Sequence, residues 1–80
     1  MKIRVLVSYK DSVLDPQGQT VKNALLTMGY DFVENVRQGK VFEIEIQGIS
    51  EERIEKAIPE LADKVLANPI IEKYTWEIVK

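Results

Sequence analysis

The chain has 80 residues, 11 of them basic and 13 acidic, giving a net charge of −2, and it contains neither cysteine nor histidine. That length suits one domain, expected here over residues 1–80. The composition excludes disulfides and almost every zinc, haem or iron–sulfur site, and the charge leaves no basic footprint for nucleic acid.

A chain this short buries only about 60% of the surface its unfolded form exposes, and such scaffolds usually add a staple. With thiols and imidazoles absent, association with another chain is the staple that remains, so an oligomer or a subunit is expected. The opening "MKIRVLVSYK" is too short and too polar for a signal peptide. No apolar run approaches the roughly 20 residues of a membrane span, and a cytoplasmic protein is the expectation.

"KIRVLVSYK" alternates Ile3, Val5, Val7 and Tyr9 with Lys2, Arg4, Ser8 and Lys10, the period of a half-buried strand. Leu6 falls on the polar side, which implies that this side is partly covered as well. "VLDPQGQTVKNALLTMGY" follows, with Val21, Ala24, Leu25 and Met28 spaced as a helical stripe. Asp15 suits the N-cap and Pro16 the first helical position, where its missing N–H costs nothing. Gly29 suits the exit, where a left-handed conformation is needed.

"DFVENVRQGKVFEIEIQG" reads as a hairpin turning near Gln38 and Gly39, with Phe42, Ile44 and Ile46 on one face of its second arm. A second helix starts at Ser50, with Glu51 and Glu52 in the first turn. Its expected buried stripe is Ile54, Ala57, Ile58, Leu61 and Val65, widened by Ala62 and Leu66. Pro59 predicts a kink, or two short helices meeting near Ile58. Asn68 and Pro69 end the helix, and Ile70 to Lys80 form a final strand. The order βαββαβ predicts an α+β, ferredoxin-like fold, a four-stranded antiparallel sheet with two helices on one face. Its two edge strands would offer unpaired backbone to another chain.

Few residues suggest chemistry. Asp15 as a general base would need a group that tunes it and a substrate proton in reach, and the chain has no histidine, cysteine or serine elbow to partner it. The capping role accounts for Asp15 and Pro16 but leaves Gln17 and Gly18 unexplained. Arg37 and Lys40 flank a Gln-Gly turn, yet a P-loop needs longer glycine spacing and a following Ser or Thr, so a solvated hairpin tip is the plainer reading. Glu43, Glu45, Glu72 and Glu77 alternate with core residues on strands, which suits a solvated or interfacial sheet face better than a metal site. The same glutamates argue against a base-stacking RNA-binding sheet. Tyr74 and Trp76 share a strand face and suit the core, although Trp is also enriched at interfaces.

Taken together, "VLDPQGQTVKNAL", "MGY", "VRQGKVFEIEI" and "VLANPIIEKYTWEI" resemble the PurS family, the small subunit of phosphoribosylformylglycinamidine synthase, over essentially the whole chain. The resemblance implies a non-catalytic, PurS-like subunit of an ATP- and glutamine-dependent ligase of de novo purine biosynthesis. It would associate with itself, as a dimer or tetramer, and bridge a glutaminase subunit and a large synthetase subunit, supporting ammonia transfer between them. No catalytic residue, metal or cofactor is implied in this chain, since ATP and magnesium belong to the synthetase subunit. The positions that local structure leaves open, with the turn beside them, are then candidate interface residues: Asp15, Gln17, Gly18, Arg37, Lys40, Asn68 and Pro69. The alternative is a small-molecule-sensing regulatory domain of the same fold, with Asp15 to Gly18 as its ligand loop.

Overall fold

The computed structural model describes residues 1–79. Its elements are β1 (Lys2–Tyr9), α1 (Pro16–Thr27), β2 (Gly39–Glu45), α2 (Glu51–Leu61) and β3 (Glu72–Val79). The strands form one antiparallel sheet in the order β2-β1-β3. The alternation in β1 places Ile3, Val5 and Val7 on an inner face, where all three are buried. Val5 lies between Phe42 and Trp76, and Ile3 between Ile44 and Ile78, so each inner row continues across all three strands. On the outer face Arg4 meets Glu43 at 3.3 Å and Glu77 at 3.4 Å, and Leu6 lies between Val41 and Thr75.

α2 covers the inner face with Ile54 and Ile58, followed by Ala62, all fully buried in the same cluster as the β1 residues. Ser50 caps the helix through Oγ, which accepts the Arg53 N–H at 3.3 Å, and Glu51 and Glu52 occupy the first turn. The break into two short helices near Ile58 does not occur: α2 runs through Pro59 to Leu61. The proline removes only the bond to the carbonyl four residues back. The irregularity comes later, as a π-helical turn over Ala62–Leu66 in which the Ala67 N–H donates to the Ala62 carbonyl at 2.8 Å. That wider turn shifts the buried side of the chain. Val65, expected in the stripe, is 78% exposed, whereas Ala67 is buried.

The sheet has three strands where four were expected. Residues 31–38, read as the first arm of a hairpin, form no strand and pair with nothing in the sheet. Phe32 and Val33 are adjacent and the next apolar residue is Val36, so the segment lacks the period of two that a half-buried strand requires. The observed order is the ferredoxin-like order without its outermost strand, which leaves the far edge of β2 open.

α1 also departs from expectation, because it does not lie on the sheet. Its ends are as predicted: Asp15 is the N-cap, Pro16 opens the helix, and Gly29 takes φ +97°. Gly29 N–H donates to Leu26 O at 3.1 Å and Tyr30 N–H to Leu25 O at 3.0 Å, closing a Schellman motif. Yet Gly18 is its one buried residue; Val21, Ala24 and Met28 are exposed and Leu25 is half-buried. The radius of gyration is 16.0 Å, with extents of 50 × 28 × 14 Å, against about 12 Å expected for a compact chain of this length.

With so few buried side chains, each carries much of the stability. Ile58→Ala should cost about 2–5 kcal/mol in chemical denaturation, while Val65→Ala, on the exposed side of the π-turn, should stay within about 0.5 kcal/mol.

Candidate functional site

Among the described residues, Asp15 is the one charged residue that is buried, at 3% exposure. Its Oδ1 accepts the Gly18 N–H at 2.9 Å, as a helix cap does, and its Oδ2 accepts the Gln38 N–H at 2.6 Å. A single carboxylate therefore joins the start of α1 to the residue preceding β2, 23 positions later. Gly18 fits because a Cβ there would strike the Val36 carbonyl oxygen and lie 2.6 Å from Asp15 Oδ2. Gln17 adds a side-chain clasp, its Oε1 accepting from Gln38 Nε2 at 2.7 Å. Arg37 Nη2 donates to the carbonyls of Lys10 and Val13, 3.0 Å each, holding the turn that leads from β1 towards α1.

The backbone N–H of Gln38, then that of Gly18, holds the Asp15 carboxyl below its ordinary range; burial opposes this and the Arg37 charge assists. Hydrogen bonds to the ionised form are the dominant cause, so the clamp is a charged one.

A second knot lies beside the first. Glu72 Oε1 accepts the Asn68 N–H at 2.7 Å, while the Asn68 carbonyl accepts the Glu72 N–H at 2.7 Å. Asn68 Oδ1 also accepts the Ile70 N–H at 3.1 Å, with Pro69 exposed between them. The other Glu72 oxygen meets Lys40 Nζ at 3.6 Å. Since Glu72 pairs with Tyr9 and Lys40 with Val7, this ion pair belongs to the inner rows. Glu72 is thus not part of a solvated glutamate face with Glu43 and Glu77.

All seven residues singled out from the sequence come together at one end of the sheet, where β1 finishes and β2 and β3 begin. Glu72 joins Asn68 to Lys40, and Gln38, not among the seven, bonds both Asp15 and Gln17. Side-chain-to-backbone bonds across 23 positions leave no local pattern, and only its place beside a Gly turn hints at it. A shallow cleft of about 600 Å³ opens here, lined by Tyr9, Pro16, Gln17, Gln38, Lys40 and Glu72 among others. Among the described residues, no buried side-chain nitrogen or oxygen lacks a hydrogen-bond partner, and no group of three acidic side chains is placed to hold a metal ion. The arrangement holds backbone segments together: Arg37 Nη2 and the Gln38 N–H are both engaged by backbone or carboxylate oxygens.

Because the folded Asp15 carboxyl is depressed, its contribution is complete above its unfolded pKa and is lost as pH falls through the folded one. Asp15→Asn puts an amide against the Gln38 N–H and does not titrate. The gap in melting temperature between wild type and Asp15→Asn should be widest above about pH 5 and should narrow progressively as pH falls below about 4. Asp11 and Glu60, whose carboxyls are also held low by lysines, are common to both proteins and cancel in the difference.

With this geometry in place, comparison with known proteins gives a consistent result. The family model for PurS, phosphoribosylformylglycinamidine (FGAM) synthase, matches residues 2–80. The phosphoribosylformylglycinamidine synthase subunit PurS of Bacillus subtilis is 44% identical over 77 residues, spanning 96% of this chain and 90% of that one. A crystal structure of B. subtilis PurS superposes with a TM-score of 0.87 at 43% identity, covering 99% of this chain and 98% of that one. A chain in the structure of PurLQS from Thermotoga maritima gives 0.86 at 26% identity, with 98% and 95% covered. A family match over residues 2–80, with a relative 44% identical across nearly the whole chain, settles the assignment: the chain belongs to the PurS family.

Proposed function

We propose that this chain is the small, non-catalytic subunit of an FGAM synthase in de novo purine biosynthesis, bridging the glutaminase and synthetase subunits and supporting ammonia transfer. The observation that carries this reading is where its distinctive residues are used. Asp15, Gly18, Arg37 and Gln38 are committed to holding backbone, while large apolar side chains such as Met28 and Phe32 stand exposed. A protein built that way acts by touching other chains. The presence of a close structural neighbour within a PurLQS structure favours the same conclusion.

A bridge of this kind works through effective concentration. Tethering two active sites face to face converts ammonia capture from a bimolecular event into one between held partners. In this reading the chain associates with itself and with both larger subunits in the cytoplasm, and ATP and magnesium are held by the synthetase subunit. None of its helices is long and apolar enough to cross a membrane among the described residues. The exposed members of the sheet end, Gln17, Arg37, Lys40, Asn68 and Pro69, are the candidate contacts. Asp15 and Gly18 act from beneath, by fixing the loop that presents Gln17.

The cleft lined by Tyr9, Gln17 and Lys40 is the feature that favours a second reading, a small-molecule sensor, for which saturable binding of an amino acid or purine nucleotide by the isolated chain would be required. Reconstitution separates the two. Mixed with purified glutaminase and synthetase subunits, the chain should be needed for FGAM formation from glutamine but not from added ammonium. Glutamine-driven turnover that is unchanged when the chain is left out would overturn the bridging role.

A further inference from the structure

Two large apolar side chains stand out at the end of the sheet where β1 finishes and β2 and β3 begin. Leu14 is 73% exposed and Ile70 80%, yet neither sits on loose chain. Leu14 lies between Val13, whose carbonyl accepts from Arg37 Nη2 at 3.0 Å, and the clamped Asp15. Ile70 donates its N–H to Asn68 Oδ1 at 3.1 Å. The next residue, Ile71, donates its N–H to the Asn68 carbonyl at 3.1 Å, and its carbonyl accepts the Lys10 N–H at 2.9 Å. The Lys10 carbonyl in turn accepts the Val13 N–H at 2.9 Å, so the two loops meet at one residue. A domain with a thin core thus commits its buried carboxylate and an arginine to loops that leave a leucine and an isoleucine uncovered. Folding alone does not account for that arrangement. A contact does, because an apolar side chain on fixed backbone loses little entropy when a partner covers it.

The charges around the two side chains are mostly of one sign. Lys10, Arg37, Lys40 and Lys73 stand exposed within two residues of the strand ends here. Of the carboxylates as near, Asp11 is exposed, whereas Glu72 is mostly buried beside Lys40. At the other end of the sheet Glu43, Glu45 and Glu77 outnumber Lys2 and Arg4 among the described residues. A chain of net charge −2 therefore has a basic end. We propose that this end docks an acidic surface of one of the two larger subunits, with Leu14 and Ile70 entering an apolar recess and Lys10 and Lys40 meeting carboxylates around it. This rests on the bridging function proposed above and specifies one of its contacts.

A larger subunit is favoured over a second copy because a symmetric pairing would bring two basic ends together. It is favoured over a phosphate ligand because Arg37 Nη2 and the Gln38 N–H are already engaged, and because a phosphate would leave Leu14 and Ile70 uncovered. An acidic protein surface uses both features at once. Apolar anchors then sit at the centre of the contact and cations at its rim, where charge steers encounter and selects the partner.

The chain has no cysteine, so single-cysteine variants can carry a benzophenone label. In the reconstituted complex, labels on Leu14→Cys and Ile70→Cys should both cross-link to the same larger subunit on illumination. The double variant Leu14→Ser/Ile70→Ser should melt as the wild type does, while the concentration of chain giving half-maximal glutamine-driven FGAM formation should rise about a hundredfold. Lys10→Glu should raise that concentration about tenfold and weaken its dependence on added salt. Labels that link to a second copy, to two different subunits, or to nothing in an active complex would overturn the proposal. So would a double variant or a Lys10→Glu variant with the wild-type half-maximal concentration. Saturable binding of inorganic tripolyphosphate that Lys10→Glu abolishes would reassign this end to a phosphate ligand. In all of these the bridging function stands, whereas glutamine-driven turnover that does not need the chain would remove both.

Discussion

The Asp15 carboxylate, shared between the N–H groups of Gly18 and Gln38, is the contact on which the rest of the molecule turns. A hydrogen bond to an ionised acceptor is roughly twice as strong as a neutral one, and this group makes two from a nearly dry position. One bond starts α1 and the other places the residue before β2. The register of the sheet follows from the second. Gly39, next in the chain, pairs with Ser8, and a Cβ at Gly39 would come within 2.6 Å of the Val7 carbonyl oxygen. A slip of one residue would turn Phe42 and Ile44 out of the core and Val41 and Glu43 into it. The clamp and the small residue beside it hold the pairing where the inner rows match.

How much of this the amino-acid sequence discloses depends on how local the cause is. β1, the caps of α1 at Asp15 and Gly29 and the start of α2 at Ser50 are set by neighbours within four residues, and each is read correctly. The last strand, expected from Ile70 to Lys80, starts at Glu72, because Asn68 holds Ile70 and Ile71 in a turn, and Lys80 lies outside the described residues. The π-turn at Ala62–Leu66 is not, because Pro59 is the visible irregularity and the bond that widens the turn joins Ala62 to Ala67 without a compositional mark. The missing fourth strand has a visible sign in the adjacent Phe32 and Val33, overridden by the strong alternation of the arm that follows. The site shows the same division. Gln17 and Gly18 stand out as unexplained by a cap alone, and the structure explains them through Val36 and Gln38, partners that only the fold brings near.

A sheet with one helix layer leaves a thin core. Ile3, Val5, Val7, Ile54 and Ile58 are its fully buried large side chains, too few for comfort against the conformational entropy of ordering a chain of this length. The outer-face ion pairs around Arg4 are exposed and contribute little. Composition rules out disulfide and zinc staples, so burial against another polypeptide is the term left to close the balance.

That requirement gives stability and function a common origin. A self-sufficient domain of this size would fold α1 onto its own sheet and keep few apolar side chains for others. Here a buried carboxylate ties the start of the helix to the residue before β2, and apolar side chains such as Met28 and Phe32 stay exposed. Folding and assembly then become linked equilibria, with the apparent stability of the chain rising with its own concentration and with that of its partners. The clamp lies on both sides of that linkage, since the bonds that start α1 are also the ones that set where it points.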